Sequence, residues 1–256
     1  MTAVELDPLL WRFAPVGLVE LIERAALQTR MDRKYVLPAR EVVALLAAMP
    51  ADARALEIGR TRAFGYDSVY FDTAALTSYR LTALRRRHRF KVRTRTYVDS
   101  AECWLEVKTE GGRGSTVKQR IPHPLDSRST VDHGRGFIDE LLSGCRGETL
   151  TPTLVTRFRR STILLPEHAA RVTIDTDLTW DAGLLHLSLP HLVVVETKTG
   201  STPSPVDRAL WARGHRPIRI SKYGTGLAAL RRDLPHAPWR RTLRRHFDPP
   251  LGHSPR

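Results

Sequence analysis

From Arg87 to Arg95 the chain alternates charged and other positions with a period of two. Arg87, Arg89, Lys91, Arg93 and Arg95 fall on one phase, Phe90 and Val92 on the other. That is the period of a strand, so an extended backbone places the cations on one face and the apolar residues on the opposite one. The pattern recurs downstream. Trp104, Glu106 and Lys108 alternate with Leu105 and Val107, and Thr116, Lys118 and Arg120 with Val117 and Ile121. Arg171, Thr173, Asp175 and Asp177 alternate with Val172 and Ile174, and Glu196-Thr197-Lys198 closes the apolar run from Leu192 to Val195. The periodicity also predicts strands at Tyr35–Pro38, 66–73, 151–165 and 184–187.

Helical spacing marks the remaining segments. Residues 8–28 carry an amphipathic pattern interrupted by Pro15, read as one or two short helices, the second over 16–26. Further helices are expected at 39–49, with Val42, Val43, Leu45 and Leu46 on its buried side, and at 132–143, 203–213 and 223–234, with Asp72 or Thr73 capping a short one through Tyr79. Glu110-Gly111-Gly112-Arg113-Gly114 reads as a hairpin turn, because it lacks the lysine-serine ending and following helix of a phosphate loop. If the charged faces turn inward, the helices must cover the apolar faces. The expected fold class is therefore α+β: an antiparallel β-barrel of about eight strands with peripheral helices.

Composition narrows the partners. The 256 residues carry a formal net charge of +14, which points to nucleic acid, anionic lipid or a free polyanion. Two cysteines, Cys103 and Cys145, are too few for a disulfide framework or a cysteine-rich zinc site. There is no signal-peptide pattern at the N-terminus and no apolar run long enough to span a membrane, so the expected location is cytoplasmic. Residues 235–256 are rich in Pro, Arg and His and read as a basic, partly ordered tail.

The run Arg33-Lys34-Tyr35, Tyr70-Phe71-Asp72-Thr73, Lys91 to Tyr97, Leu105-Glu106-Val107-Lys108, Thr153 to Arg160, Val195-Glu196-Thr197-Lys198 and Ser221-Lys222-Tyr223 spans about residues 29 to 232. In this order the motifs resemble the VTC domain, the catalytic domain of the vacuolar transporter chaperone complex within the triphosphate tunnel metalloenzyme (CYTH-like) superfamily. The resemblance implies a tunnel domain at 29–234, which leaves the helical segment at 1–28 before it and the tail at 235–256 after it. It also implies a basic lumen that binds ATP or another triphosphate, and polyphosphate, together with Mn²⁺ or Mg²⁺.

Carried over position by position, the implied phosphate ligands are Lys34, Arg93, Arg95, Lys108, Arg160, Arg171 and Lys222. Lys91, Lys118, Arg120 and Lys198 share the same faces as weaker candidates, and Glu196 is the implied metal ligand. Where tunnel triphosphatases open with Glu-x-Glu-x-Lys, this chain has Arg30, Asp32 and Lys34. Losing the first acid favours the polymerase branch over the hydrolase branch. The implied function is transfer of the γ-phosphoryl group of ATP onto a polyphosphate chain. The alternatives are a tripolyphosphate or nucleotide hydrolase and a non-catalytic polyphosphate-binding module. Nucleic acid is disfavoured, because the basic strand has only Phe90 and Tyr97 beside it, on opposite faces. A membrane-protein partner is left open, and so is the oligomeric state.

Overall fold

A computed structural model describes residues 3–24, 31–110, 116–142, 144 and 146–248. Arg30, the glycine turn at 111–114, Cys145 and the end of the tail, 249–256, lie outside the described residues. In chain order the strands are β1 (Ala14–Val16), β2 (Met31–Pro38), β3 (Arg54–Leu56), β4 (Phe64–Asp72), β5 (Phe90–Tyr97) and β6 (Glu102–Glu110). They continue with β7 (Thr116–Pro122), β8 (Thr151–Leu165), β9 (Ala170–Ala182), β10 (Leu185–Leu189) and β11 (Leu192–Thr199). The helices are α1 (Ala3–Leu10), α2 (Leu18–Arg24), α3 (Glu41–Ala47), α4 (Thr77–Ala83), α5 (Arg135–Leu141), α6 (Pro205–Ala212) and α7 (Lys222–Leu230).

Eight strands follow one another in the order β2-β11-β9-β8-β4-β5-β6-β7, with β1, β3 and β10 off this path. This is the α+β class with a large antiparallel sheet. The order is open, β2 and β7 being its two ends. The chain divides into two compact units. The first comprises residues 1–65, 158–178 and 188–219, the second 66–157, 179–187 and 220–256, so β8 and β9 each contribute to both.

In the first unit β11 pairs with β2 and with β9, Val195 lying opposite Tyr35 and Ile174. The apolar face of this ladder, with Tyr35, Leu37, Val172, Ile174, Val193 and Val195, is packed with Val42, Leu45 and Leu46 of α3 and with Val206 and Leu210 of α6. Helix α6 starts at a capping box legible in the sequence Ser-Pro-Val-Asp: Ser204 Oγ accepts the Asp207 amide and Asp207 Oδ2 accepts the Ser204 amide. Asp207 also accepts hydrogen bonds from the Tyr35 hydroxyl (2.7 Å) and the Thr197 hydroxyl (2.6 Å), so the cap ties α6 to β2 and β11. Burial, with the Asp207 carboxylate beside it, pushes the Tyr35 phenol up.

In the second unit β5 lies between β4 and β6, and β6 pairs on its other side with β7. Val92, Val107 and Leu105 pack with Val131 and with Ile138 of α5. Asp72, the last residue of β4, accepts the Ser78 and Tyr79 amides at the start of α4 and, at 2.5 Å, the Tyr223 hydroxyl of α7. Two indoles fix α7 from either side. A Cβ at Gly226 would lie 2.1 Å from Trp180, and one at Gly224 would lie 2.5 Å from Trp239.

Three sequence expectations change. The basic run does not enter a strand at Arg87. Helix α4 ends at Ala83, Arg85 takes a left-handed conformation (φ 55°), and the pairing with β6 begins only at Phe90 opposite Thr109. Arg85, Arg86, Arg87 and His88 are therefore an exposed turn. The segment 14–16 is a short strand paired in parallel with β3, not part of a helix. Val43, expected on the buried side of its helix, is exposed.

Candidate phosphate-binding site

Each unit presents a charged sheet face opposite its apolar one. In the first unit Lys34, Glu196 and Thr173 stand in one row across β2, β11 and β9, with Asp32, Lys198 and Arg171 in the next row. The Lys198 ammonium contacts the Glu196 carboxylate and lies 2.9 Å from Asp32 Oδ2. Arg160, on β8, makes a two-pronged contact with Asp175 of β9, at 2.6 and 2.8 Å. Burial alone would raise the Glu196 carboxyl. The cations of Lys34, Lys198 and Arg160 outweigh it and hold the group well below the usual carboxylate range.

In the second unit Glu106 is completely buried. Its Oε2 accepts from Arg93 Nε (2.8 Å) and Nη2 (2.5 Å), with Arg95 Nε at 3.9 Å, while Oε1 meets the Lys118 ammonium. Arg93 also donates to the Tyr70 hydroxyl at 2.8 Å. Burial pushes Glu106 up, but Arg93, Arg95 and Lys118 overcome it and hold the carboxyl far below its ordinary value. Burial likewise depresses the Lys118 ammonium, against the pull of Glu106. Beside this row Lys91, Lys108 and Lys118 oppose one another across β5, β6 and β7. Like charges directly opposite in a sheet destabilise it unless an anion lies among them.

The implied residues therefore fall into two sets. Lys34, Arg160, Arg171, Glu196 and Lys198 belong to the first unit, and Lys91, Arg93, Arg95, Lys108 and Lys118 to the second. Arg120 stands opposite Glu106 in register but is exposed, its guanidinium 4.3 Å from the Trp104 ring centroid. Lys222 opens α7, a helix, instead of standing on the sheet. Its carbonyl accepts the Trp180 indole N–H at 2.9 Å. Glu106 was not among the residues picked out from the sequence as a ligand. The available signal was an acid in phase with the cations of its neighbours, within Leu-Glu-Val-Lys.

The first set has the chemistry for a hard divalent cation. Mg²⁺ or Mn²⁺ takes one or two carboxylates and fills its remaining positions with phosphate and water oxygens. Glu196 is held ionised, and Asp32 stands in the adjacent row. Among the described residues no three His, Cys, Asp or Glu side chains converge on one point, and no helix is long and apolar enough to cross a membrane.

An α+β protein built on a large antiparallel sheet, with cations grouped around single carboxylates on its charged faces, is the class these features define. The VTC domain model matches residues 29–231, and the chain belongs to that family. No curated protein matches it in sequence. Among solved structures it is similar to a candidate adenylyl cyclase from Hippeastrum described as having a dominant triphosphatase activity. That match has 16% identity, covers 81% of this chain and 98% of that one, and has a TM-score of 0.49. A candidate adenylate cyclase from Vibrio parahaemolyticus is 14% identical, over 82% and 92% of the two chains, with a TM-score of 0.38. A Pyrococcus horikoshii protein is 11% identical, over 77% and 98%, with a TM-score of 0.42.

Proposed function

We propose that the protein is a metal-dependent phosphotransferase that moves the γ-phosphoryl group of ATP onto a polyphosphate chain. Its working part would be residues 29–234. The observation that carries this reading is the Glu196 carboxylate, kept ionised by Lys34, Lys198 and Arg160 on a sheet face, in a chain of the VTC domain family. Phosphoryl transfer depends on aligning the reacting oxygens and neutralising charge on the non-bridging ones, more than on a protein nucleophile. Planar guanidinium groups suit that task, because each presents a fork of N–H donors to two phosphate oxygens.

Arg160 and Arg171 in the first unit, and Arg93 and Arg95 in the second, would hold phosphate oxygens. Lys34, Lys91, Lys108, Lys118, Lys198 and Lys222 would supply further positive charge. Glu196, with Asp32 nearby, would hold Mn²⁺ or Mg²⁺, which supplies Lewis-acid neutralisation of phosphate oxygens when bound. Displacement of the Lys198 ammonium from Glu196 and Asp32 would free their oxygens for that role.

The test is incubation of purified protein with ATP and Mn²⁺, with polyphosphate, ADP and free phosphate all measured. Polymer and ADP are the expected products. Free phosphate without polymer would make the protein a hydrolase, and no turnover with intact tripolyphosphate binding would make it a binding module. Glu196→Gln should abolish turnover while leaving tripolyphosphate binding unchanged or tighter, since a negative charge leaves a positive surface. A Glu196→Gln protein with normal turnover would sink the metal assignment.

A further inference from the structure

The end of the described chain carries a cationic surface that the proposed reaction does not use. A one-turn helix, Arg240–Thr242, runs into a π-helical turn, Leu243–Phe247. Trp239, Thr242, Leu243 and Phe247 are buried. Arg240, Arg241, Arg244 and Arg245, spaced i, i+1, i+4 and i+5, are all exposed and together border an open hollow of about 470 Å³. This ridge is fixed to the second unit. Trp239 packs 5.9 Å from Tyr79, ring to ring, and Phe247 packs 5.6 Å from Trp180. The nearest acids in sequence are engaged elsewhere, Asp233 with Arg231 and Asp248 with Arg232. Among the described residues, no carboxylate pairs with the four arginines.

We propose that these four arginines form a second phosphate-binding site, which holds a distal stretch of a polyphosphate chain. The choice of ligand rests on the proposed function. The site itself rests on the hollow and on its side chains. Four guanidiniums around a concavity suit a flexible chain of phosphates, whose oxygens accept paired N–H donors along its whole length. The apolar side chains of the ridge point into the core, so it offers no apolar wedge for a membrane surface. Among the described residues it also offers no exposed Phe, Tyr or Trp ring on which a nucleic-acid base could stack. The π-turn adds a residue to the helical turn, and such turns recur at functional sites.

The experiment compares wild-type full-length protein with a quadruple Arg240→Gln, Arg241→Gln, Arg244→Gln, Arg245→Gln variant. The probes are tripolyphosphate, long-chain polyphosphate, phosphatidylserine vesicles and single-stranded DNA. Long-chain affinity should fall by about tenfold or more, with the slope of log affinity against log salt shallower by about 3. Tripolyphosphate affinity should not change. The corresponding quadruple lysine variant should keep most of the long-chain affinity, because the charge remains.

Unchanged long-chain affinity in the glutamine variant would overturn the site. So would a loss confined to vesicles or to DNA. If the glutamine variant melts early, the pair Arg240→Gln with Arg241→Gln and the pair Arg244→Gln with Arg245→Gln are measured separately. Each should then lose about half of the slope change, and no change in either would overturn the site. A wild-type protein that ignores tripolyphosphate, yet holds long chains through these arginines, would sink the proposed function and leave this site standing.

Discussion

Glu106 is the residue on which the second charged face depends most. Removing its carboxylate leaves Arg93, Arg95 and Lys118 crowded without their common anion. Breaking a buried ion pair from one side costs about 3–5 kcal/mol, so Glu106→Ala should lower the melting temperature sharply, and added tripolyphosphate should restore part of the loss. Asp233→Ala, which breaks an exposed pair with Arg231, should leave melting nearly unchanged. A Glu106→Ala protein as stable as wild type would show that the three cations do not need it. Acid should probe both carboxylates at once. Glu106 and Glu196 are held below the ordinary carboxylate pKa, so in the folded state each binds its proton less readily than in the unfolded chain. Their contribution to stability is complete above the unfolded value of about 4.3 and is lost as pH falls through the lower folded values. Melting temperature should therefore hold between pH of about 7 and 5 and fall below about 4, and a Glu106→Gln, Glu196→Gln double variant should show a shallower decline. The cations around Glu106 were legible because strand periodicity exposes them. The Glu106 carboxylate at their centre was not, because an acid between cations reads equally well as an ordinary surface pair until its burial is known.

Helix α7 shows how an element can be set by what packs on it. Gly226 sits against the Trp180 indole, which is itself fixed by its N–H bond to the Lys222 carbonyl. Gly226→Ala should cost about 1–3 kcal/mol through overpacking, measured as a lower melting temperature. Gly136→Ala in α5, where a Cβ would meet nothing within 4 Å, is the control and should be neutral or stabilising. If both glycines behaved alike, close packing on α7 would not be the constraint. Strands were the most legible elements: the expected strand at 151–165 coincides with β8. Strands β1 and β3, at three residues each, are too short for a period to show, and they exist because each has the other as a partner. The false start of β5 at Arg87 has the complementary cause. Periodicity marks which residues can form a strand, but the edge is set where pairing with the partner strand stops, here at Phe90 opposite Thr109.

Across the whole molecule the formal charge of +14 should govern affinity. Tripolyphosphate should bind much more tightly than monophosphate, and binding should weaken as salt is raised over a range where the Debye length falls from about 10 Å to about 3 Å. Titration at two ionic strengths tests this, and equal affinity for matched-charge single-stranded DNA would argue against phosphate-specific geometry. The charge and the sheet class could be read from the sequence. The division into two units could not, because it passes through the middle of β8 and β9, where neither composition nor periodicity changes. That division bears on how the protein can be cut. Each unit is assembled from three separate stretches of chain, so no single break yields either one intact. A fragment ending near residue 157 would lack the β8 and β9 residues of the first unit and the 179–187 and 220–248 segments of the second. Gene halves divided there should give insoluble products separately and should recover a folded protein only on co-expression, as a split protein whose pieces complete each other's ladders.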